Sequence, residues 1–219
     1  MLLSLARGIS SLLFPAVCSG CRCPVESGPS APLCAACLGT LPRCRFPGGK
    51  LKALDGTVSP FLYEGICRDL VLALKYEGRT ALIPFLADQM TEEILRHFGN
   101  SPADRILPVP LHPTRLRERG FNQAELLARA LADRLGIPCE ADLLIRCRPT
   151  RPQAELTREE RSRNVRGAFD LRAGAGLKGS RLLLVDDVLT TGVTAETCAA
   201  LLKKAGARSV WAVTAARDL

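Results

Sequence analysis

The chain has 219 residues, of which 47% are hydrophobic and 24% charged, and its formal net charge of +8 is carried mainly by arginine. That balance excludes a disordered or low-complexity chain, and the length suits one α/β domain of about 100 to 150 residues plus a small appended module. No apolar stretch is long enough to cross a bilayer, which excludes a membrane span and makes the cytoplasm the simplest address.

Residues 1–17 place Leu2, Leu5, Ile9, Leu12 and Leu13 at helical spacing, as expected of an amphipathic helix packed on the protein. A secretory signal fits poorly, because Arg7 is the lone early cation and Pro15-Ala16-Val17 is a poor cleavage site. Cys18, Cys21, Cys34 and Cys37 follow as C-x2-C-x12-C-x2-C, two chelating pairs at a spacing that lets four thiolates enclose Zn2+. A disulfide framework is the competing account, but the remainder reads as an intracellular α/β domain, where such spacing usually means metal. Cys23 and Cys44 are spare thiols nearby, which leaves the fourth ligand open, whereas Cys67, Cys139, Cys147 and Cys198 are scattered and read as structural.

Residues 1–52 are therefore expected to form a zinc-ribbon-like module that leans on its metal, since about 50 residues make only a small core. Arg7, Arg22, Arg43, Arg45, Lys50 and Lys52 face the single anion Glu26, so the module stays basic after metallation. Such charge is compatible with a polyanion such as single-stranded DNA, although few aromatics are available for base stacking and a solvated surface is the plainer account.

The second segment, 53–219, alternates strand and helix patterns. A strand near residues 58–63 precedes a helix over 67–76 with Leu70, Val71 and Leu74 inward, ended by Gly78, and a second helix covers about 83–98. Lys75 and Tyr76 close the first helix within reach of a ligand, but a lysine capping the last carbonyls is the economical account. Residues 105–110, RILPVP, are a short strand that its prolines stop as a ladder. Arg115, Arg117 and Arg119 follow in 111–120, with His112 read as structural. Asn122 opens the next helix, Leu127, Leu131 and Leu135 line one face up to Gly136, and a strand at 143–147 comes next. The arginine-rich segment 148–166 carries a capping box from Thr157 to Glu160 on a helix with little apolar area for packing.

Residues 181–205, RLLLVDDVLTTGVTAETCAALLKKA, carry the most specific signal. The apolar run 182–185 is expected to be a parallel strand covered on both faces, ending abruptly at Asp186 and Asp187. Thr190, Thr191, Gly192, Val193 and Thr194 form a hydroxyl-and-glycine loop that opens a helix, with Thr194 as N-cap, Glu196 in the first turn and Gly206 as C-cap. A strand at 209–215 completes a β-α-β unit. That unit places the loop at the carboxyl end of a parallel sheet, where open α/β folds bind ligands. Its first-turn N–H groups and hydroxyls suit one phosphate, and the carboxylates suit vicinal hydroxyls or a hydrated Mg2+. The expected ligand is a sugar phosphate. An aspartate pair also occurs as a phospho-acceptor and Thr-Thr-Gly in ordinary turns, so contiguity is what favours the ligand. Neither G-x-x-x-x-G-K-[ST] nor G-x-G-x-x-G is present.

The run LVDDVLTTGVT at 184–194 resembles the phosphoribosyl pyrophosphate (PRPP) signature of type I phosphoribosyltransferases. The resemblance implies that Asp186 and Asp187 bind the ribose hydroxyls and steady the sugar during any transfer, while Thr190, Thr191, Gly192, Val193 and Thr194 bind the 5′-phosphate. It also implies that 111–120 contacts pyrophosphate with Arg115 and Arg119 as cations, and that Mg2+ accompanies PRPP. Segment 148–166 would act as a flexible flap, with Arg161, Asn164 and Arg166 as the residues to test. LPVPLHPTRLRERGFNQ at 107–123 and QAELTREERSRNVRGAF at 153–169 are similar to the ComF family of competence-associated proteins, a likeness that extends over nearly the whole chain.

The expected fold is thus α/β, a type I phosphoribosyltransferase-like parallel sheet flanked by helices, with a small N-terminal zinc-binding module divided from it at 52/53. The implied function is PRPP binding in DNA uptake or processing during natural competence, with single-stranded DNA and competence proteins as partners. An active phosphoribosyltransferase is the alternative, although no segment identifies its acceptor. A metal-stabilised adaptor without ligand chemistry would have no reason to retain the acidic pair.

Overall fold

Leu182, Leu183, Leu184 and Val185 are all buried, as are Val210, Ala212, Val213, Ala215 and Ala216, and these two apolar runs form the centre of a parallel sheet. The computed structural model describes residues 17–25, 32–45, 51–149, 165, 167–174 and 176–218. In chain order the elements are α1 (Ala35–Gly39), β1 (Gly56–Val58), β2 (Phe61–Leu62), α2 (Gly65–Tyr76), α3 (Ile83–Phe98), β3 (Arg105–Pro108), α4 (Pro113–Arg119), α5 (Gln123–Leu135), β4 (Leu144–Arg146), β5 (Phe169–Leu171), β6 (Arg181–Leu189), α6 (Val193–Lys204) and β7 (Ser209–Arg217). The sheet runs β1-β7-β6-β3 with every pair parallel, and β2 joins the far end of β7.

Alternation along the strands divides the core between two faces. Leu183, Val185, Val213 and Ala215 pack with the apolar stripes of α2, α3 and α5. Leu182, Leu184, Val210 and Ala212 pack with α6 and the antiparallel ribbon β4–β5. The expected parallel sheet flanked by helices is therefore present.

Local signals placed several boundaries well. Asn122 caps α5 as expected: its Oδ1 accepts the Ala124 N–H at 3.1 Å, while its Nδ2 donates to the Val109 carbonyl at 3.1 Å and ties the helix to the end of β3. Three boundaries differ. β6 does not stop at the acidic pair, because its ladder with β7 continues through Asp186 opposite Thr214 to Leu189 opposite Arg217. Charge on a side chain does not end a strand while its backbone still has a partner.

The N-cap of α6 is Gly192 rather than Thr194, at a φ of 74° that favours glycine. The residue after its last turn is Ala205, with Gly206 next at a φ of 99°. Segment 111–120 contains α4, a short helix that His112 caps by accepting the Thr114 N–H at Nδ1.

The cysteine-rich start is attached to the sheet through its backbone. Arg43 bridges Phe61 antiparallel, the Cys44 N–H donates to the Pro60 carbonyl at 2.9 Å, and the Leu62 N–H donates to the Pro42 carbonyl at 2.8 Å. Leu33, Cys37 and Leu41 join the apolar cluster that α2 and α3 build on the first face. The calls on residues 1–16, on most of the flap (150–164 and 166) and on Arg161, Asn164 and Arg166 fall outside the described residues.

Gly56 lies opposite Trp211 in the β1–β7 register, and a Cβ there would stand 2.1 Å from Cζ3 of the indole. Trp211 is held against Phe98 and His97, with ring centroids 4.9 and 4.8 Å away. Gly56→Ala is therefore expected to destabilise the fold by about 1–3 kcal/mol through overpacking, visible as a lower midpoint in calorimetry.

Candidate functional site

Where β6 gives way to α6, the chain forms a small recess of about 40 Å³ whose lining includes Asp186, Thr190, Gly192, Val193, Thr194 and Thr214. The sequence-predicted acid and loop thus meet at the carboxyl edge of the sheet. The Thr191 hydroxyl, between the lining residues Thr190 and Gly192 in the chain, is buried without a hydrogen-bond partner among the described residues, and so is Oε2 of Glu196 in the first turn of α6. An orphaned buried hydroxyl beside a helix N-terminus fits a ligand oxygen, since such a group is otherwise costly to bury. Leu51 packs over the loop: a Cβ at Gly192 would fall 2.7 Å from its Cδ1. The next turn of the same strap is anchored by the Ala53 N–H, which donates to the Glu196 carboxylate.

The acidic pair is not a pair in space. Successive strand residues point to opposite faces, so Asp186 shares the α6 face with Leu184 while Asp187 shares the other with Val185. Asp186 lines the recess; burial, then the neighbouring Asp187 charge, pushes its carboxyl up to about 7 despite Lys75, its bond from the Asp187 N–H, and Arg146. Asp187 accepts instead from Lys75 Nζ at 2.9 Å, with side-chain exposures of 20% for the lysine and 10% for the aspartate. Burial works against the Lys75 charge, but the Asp187 carboxylate outweighs it and holds the ammonium above its ordinary range.

Lys75 is therefore not the helix cap expected from sequence: the end of α2 is closed by the Glu77 N–H donating to Ala73, and the lysine reaches across to β6. A signal was available, because Lys75 follows buried Val71 by one helical turn and so lies on the inward stripe. Tyr76 beside it is 74% exposed and carries the Arg119 guanidinium 5.5 Å above its ring.

Among the described residues, no arginine is in the lining of the recess. Arg115 pairs with Glu118 at 3.1 Å on the surface of α4, and α4 buries no residue. Arg146, to which sequence reasoning gave no role, projects from β4 over the Phe169 ring at 5.2 Å. Burial lowers its pKa while Asp186 opposes that shift, so its guanidinium lies within the electrostatic reach of the recess. Only the pairing of β4 with β5 beside α6 could have revealed this.

In the cysteine-rich start, the sulfurs of Cys18, Cys21, Cys23 and Cys34 lie within 4.8 Å of one another. Cys37 adjoins the same group, with its thiol in hydrogen-bonding contact with Cys21, Cys18 and Cys34. Backbone N–H groups point at the first sulfur of each predicted chelating pair: Gly20 and Cys34 donate to Cys18 at 3.4 and 3.3 Å, and Cys37 donates to Cys34 at 3.5 Å. Burial opposes ionisation of Cys18, but the backbone donors outweigh it and bring the thiol down to about 6. A soft four-thiolate set of this kind fits Zn2+.

The phosphoribosyl transferase domain family matches residues 122–219. The chain is 34% identical to the DNA utilization protein YhgH of Salmonella typhi, covering 91% of this chain and 96% of that protein. It is 37% identical to Competence protein F of Haemophilus influenzae over 49% of this chain and 47% of that one. Its identity with Competence protein ComFC of Streptococcus pneumoniae is 30%, over 68% of this chain and 63% of the relative.

Proposed function

Since the chain belongs to the ComF family, as its likeness to YhgH and the competence proteins together with its own phosphoribosyl transferase domain shows, we propose that it binds PRPP and serves DNA uptake or processing during natural competence. The observation that carries the ligand assignment is the convergence of Asp186, Thr190, Gly192, Val193 and Thr194 on one recess beside the orphaned Thr191 hydroxyl. In this reading the 5′-phosphate docks on the first-turn N–H groups of α6 and the threonine hydroxyls. Asp186 accepts from a ribose hydroxyl on the same side of the sheet. Leu51, which lies over Gly192, is displaced or re-seated when the sugar phosphate enters.

Arg115, Arg119 and Arg146 surround the pyrophosphate end, where guanidinium forks suit paired phosphate oxygens. Mg2+ carried by the pyrophosphate would offset its charge. Zn2+ is assigned to the two knuckles, Cys18 with Cys21 and Cys34 with Cys37, because the Gly20 and Cys37 N–H groups each donate to the first sulfur of their own knuckle; Cys23 is the spare thiol. The basic module that the metal braces is the surface offered to single-stranded DNA, and the protein acts in the cytoplasm. No helix among the described residues is long and apolar enough to cross a membrane.

An active phosphoribosyltransferase is the second reading. There the C1–O bond to pyrophosphate breaks with its electron pair leaving on the pyrophosphate, an acceptor nucleophile bonds to C1, and a carboxylate steadies the positive sugar. Calorimetric titration of the zinc-loaded protein with PRPP and Mg2+ tests the ligand assignment. One site per chain is expected, with ribose 5-phosphate competing; the absence of heat and of competition would remove the assignment. Pyrophosphate release in the presence of mixed bases separates the enzyme from the binding protein.

A further inference from the structure

We propose that the Lys75 ammonium takes the place of a divalent cation at Asp187, making Lys75 a positioning residue that neutralises this carboxylate from inside the protein. The inference deepens the PRPP reading and rests on it. It starts from the alternation of β6, which sends Asp187 away from the recess that Asp186 lines and towards the end of α2. There the carboxylate meets Nζ of Lys75 at 2.9 Å, in a pair that is largely buried.

The lysine stem rises from the inward stripe of α2 one turn after buried Val71, while buried Leu70 and Leu74 fasten that helix to the sheet. The head group is thus delivered by a rigid element rather than by a free surface chain. Tyr63, from the turn before α2, is the neutral titratable group close to the pair, and Asp186 adds a second negative charge from the adjoining residue. A buried carboxylate needs one compensating cation, and the ammonium already supplies it in a geometry that also leaves donors for a ligand oxygen. A divalent ion approaching Asp187 would meet that fixed positive charge before it met an open oxygen. The metal that accompanies PRPP would therefore be held by the pyrophosphate and not by Asp187.

The test is titration of the full-length, zinc-loaded protein with Mn2+ alone, with free Mn2+ read by electron paramagnetic resonance. In the wild-type background, Asp187→Asn should leave Mn2+ binding unchanged. Lys75→Met should bind Mn2+ about ten-fold or more tightly, because it exposes an unneutralised buried carboxylate. The gain should vanish in Lys75→Met/Asp187→Asn, and Lys75→Arg should behave as wild type. The proposal is overturned if Asp187→Asn weakens Mn2+ binding in the wild type, or if Lys75→Met binds Mn2+ no better. Should Lys75→Met not fold by circular dichroism, the Asp187→Asn arm decides alone. PRPP titration is a separate readout. Failed Mn2+ arms with PRPP bound remove only the role of Lys75, whereas Mn2+ behaviour as expected with no PRPP bound removes the ligand reading.

Discussion

Asp186→Asn should lose PRPP and gain stability. On the ligand side, a carboxylate that accepts from a sugar hydroxyl contributes a charge-assisted bond, and the amide replacing it also presents a donor where an acceptor is needed; the expected loss of affinity is about 100-fold. On the stability side, burial and Asp187 raise the folded-state pKa of Asp186 to about 7. A carboxyl in the unfolded chain titrates near ~4, so between those values the folded protein holds more protons than the unfolded one. The sign follows: the contribution of Asp186 to stability is most favourable below pH ~4, falls as pH climbs towards about 7, and is level above that. Asp186→Asn carries no such charge and should be more stable than wild type at pH 8 by about 2 kcal/mol, allowing for the recess that leaves the carboxyl part-accessible. Calorimetric melts at pH 5 and pH 8 should show a gap between the two proteins that is about three-fold wider at the higher pH. Equal melts at both values would mean that Asp186 is not strained by burial.

Loss of zinc should have the larger effect on structure. Cys18 and Cys37 are buried in the cluster that also holds Leu33 and Leu41, and the strand-like segment leaving it is hydrogen-bonded to Pro60 and Leu62 beside the sheet. Without metal, the crowded thiols must share their protons: hydrogen bonding to Cys21, then other neighbours, holds both Cys23 and Cys37 up at about 12. Zinc replaces those protons and contributes its binding free energy to folding, of order 10 kcal/mol for small zinc modules. One zinc per chain is expected by atomic absorption. Cys18→Ser and Cys34→Ser should lose it and expose residues 17–45 to proteolysis, while the β3, β6 and β7 core keeps its own melting transition. Cys37→Ser should lose zinc and Cys23→Ser keep it; the reverse outcome would move the fourth ligand to Cys23, whose sulfur also lies within 4.8 Å of the other three. Zinc bound equally by all four variants would place the metal elsewhere.

Asn122 shows why much of the fold was legible. Its capping bond reaches two residues along the chain, and so the residue type and its spacing from the helix contain the whole interaction. The same holds for α3, whose apolar period placed it at 83–98, and for the loop motif at 190–194, whose glycine and hydroxyls are contiguous. Asp186 and Asp187 show the limit. The sequence reading gave both to the ribose hydroxyls, whereas a strand turns each successive side chain to the other face. Once β6 extended past them, one acid met the ligand loop and the other met α2.

The sequence by itself determined the parallel α/β architecture, the acid-and-threonine loop at a strand's carboxyl end, and a cysteine set spaced for metal, because periodicity, capping and chelate spacing are short-range along the chain. Only the tertiary structure decided that Lys75 answers Asp187, that Arg146 stands near Asp186, that Leu51 covers Gly192, and that Cys23 joins the other thiols. Those pairings depend on which helix and which strap cover each face of the sheet. That choice is made by burying two apolar faces at once, and no local spacing records it.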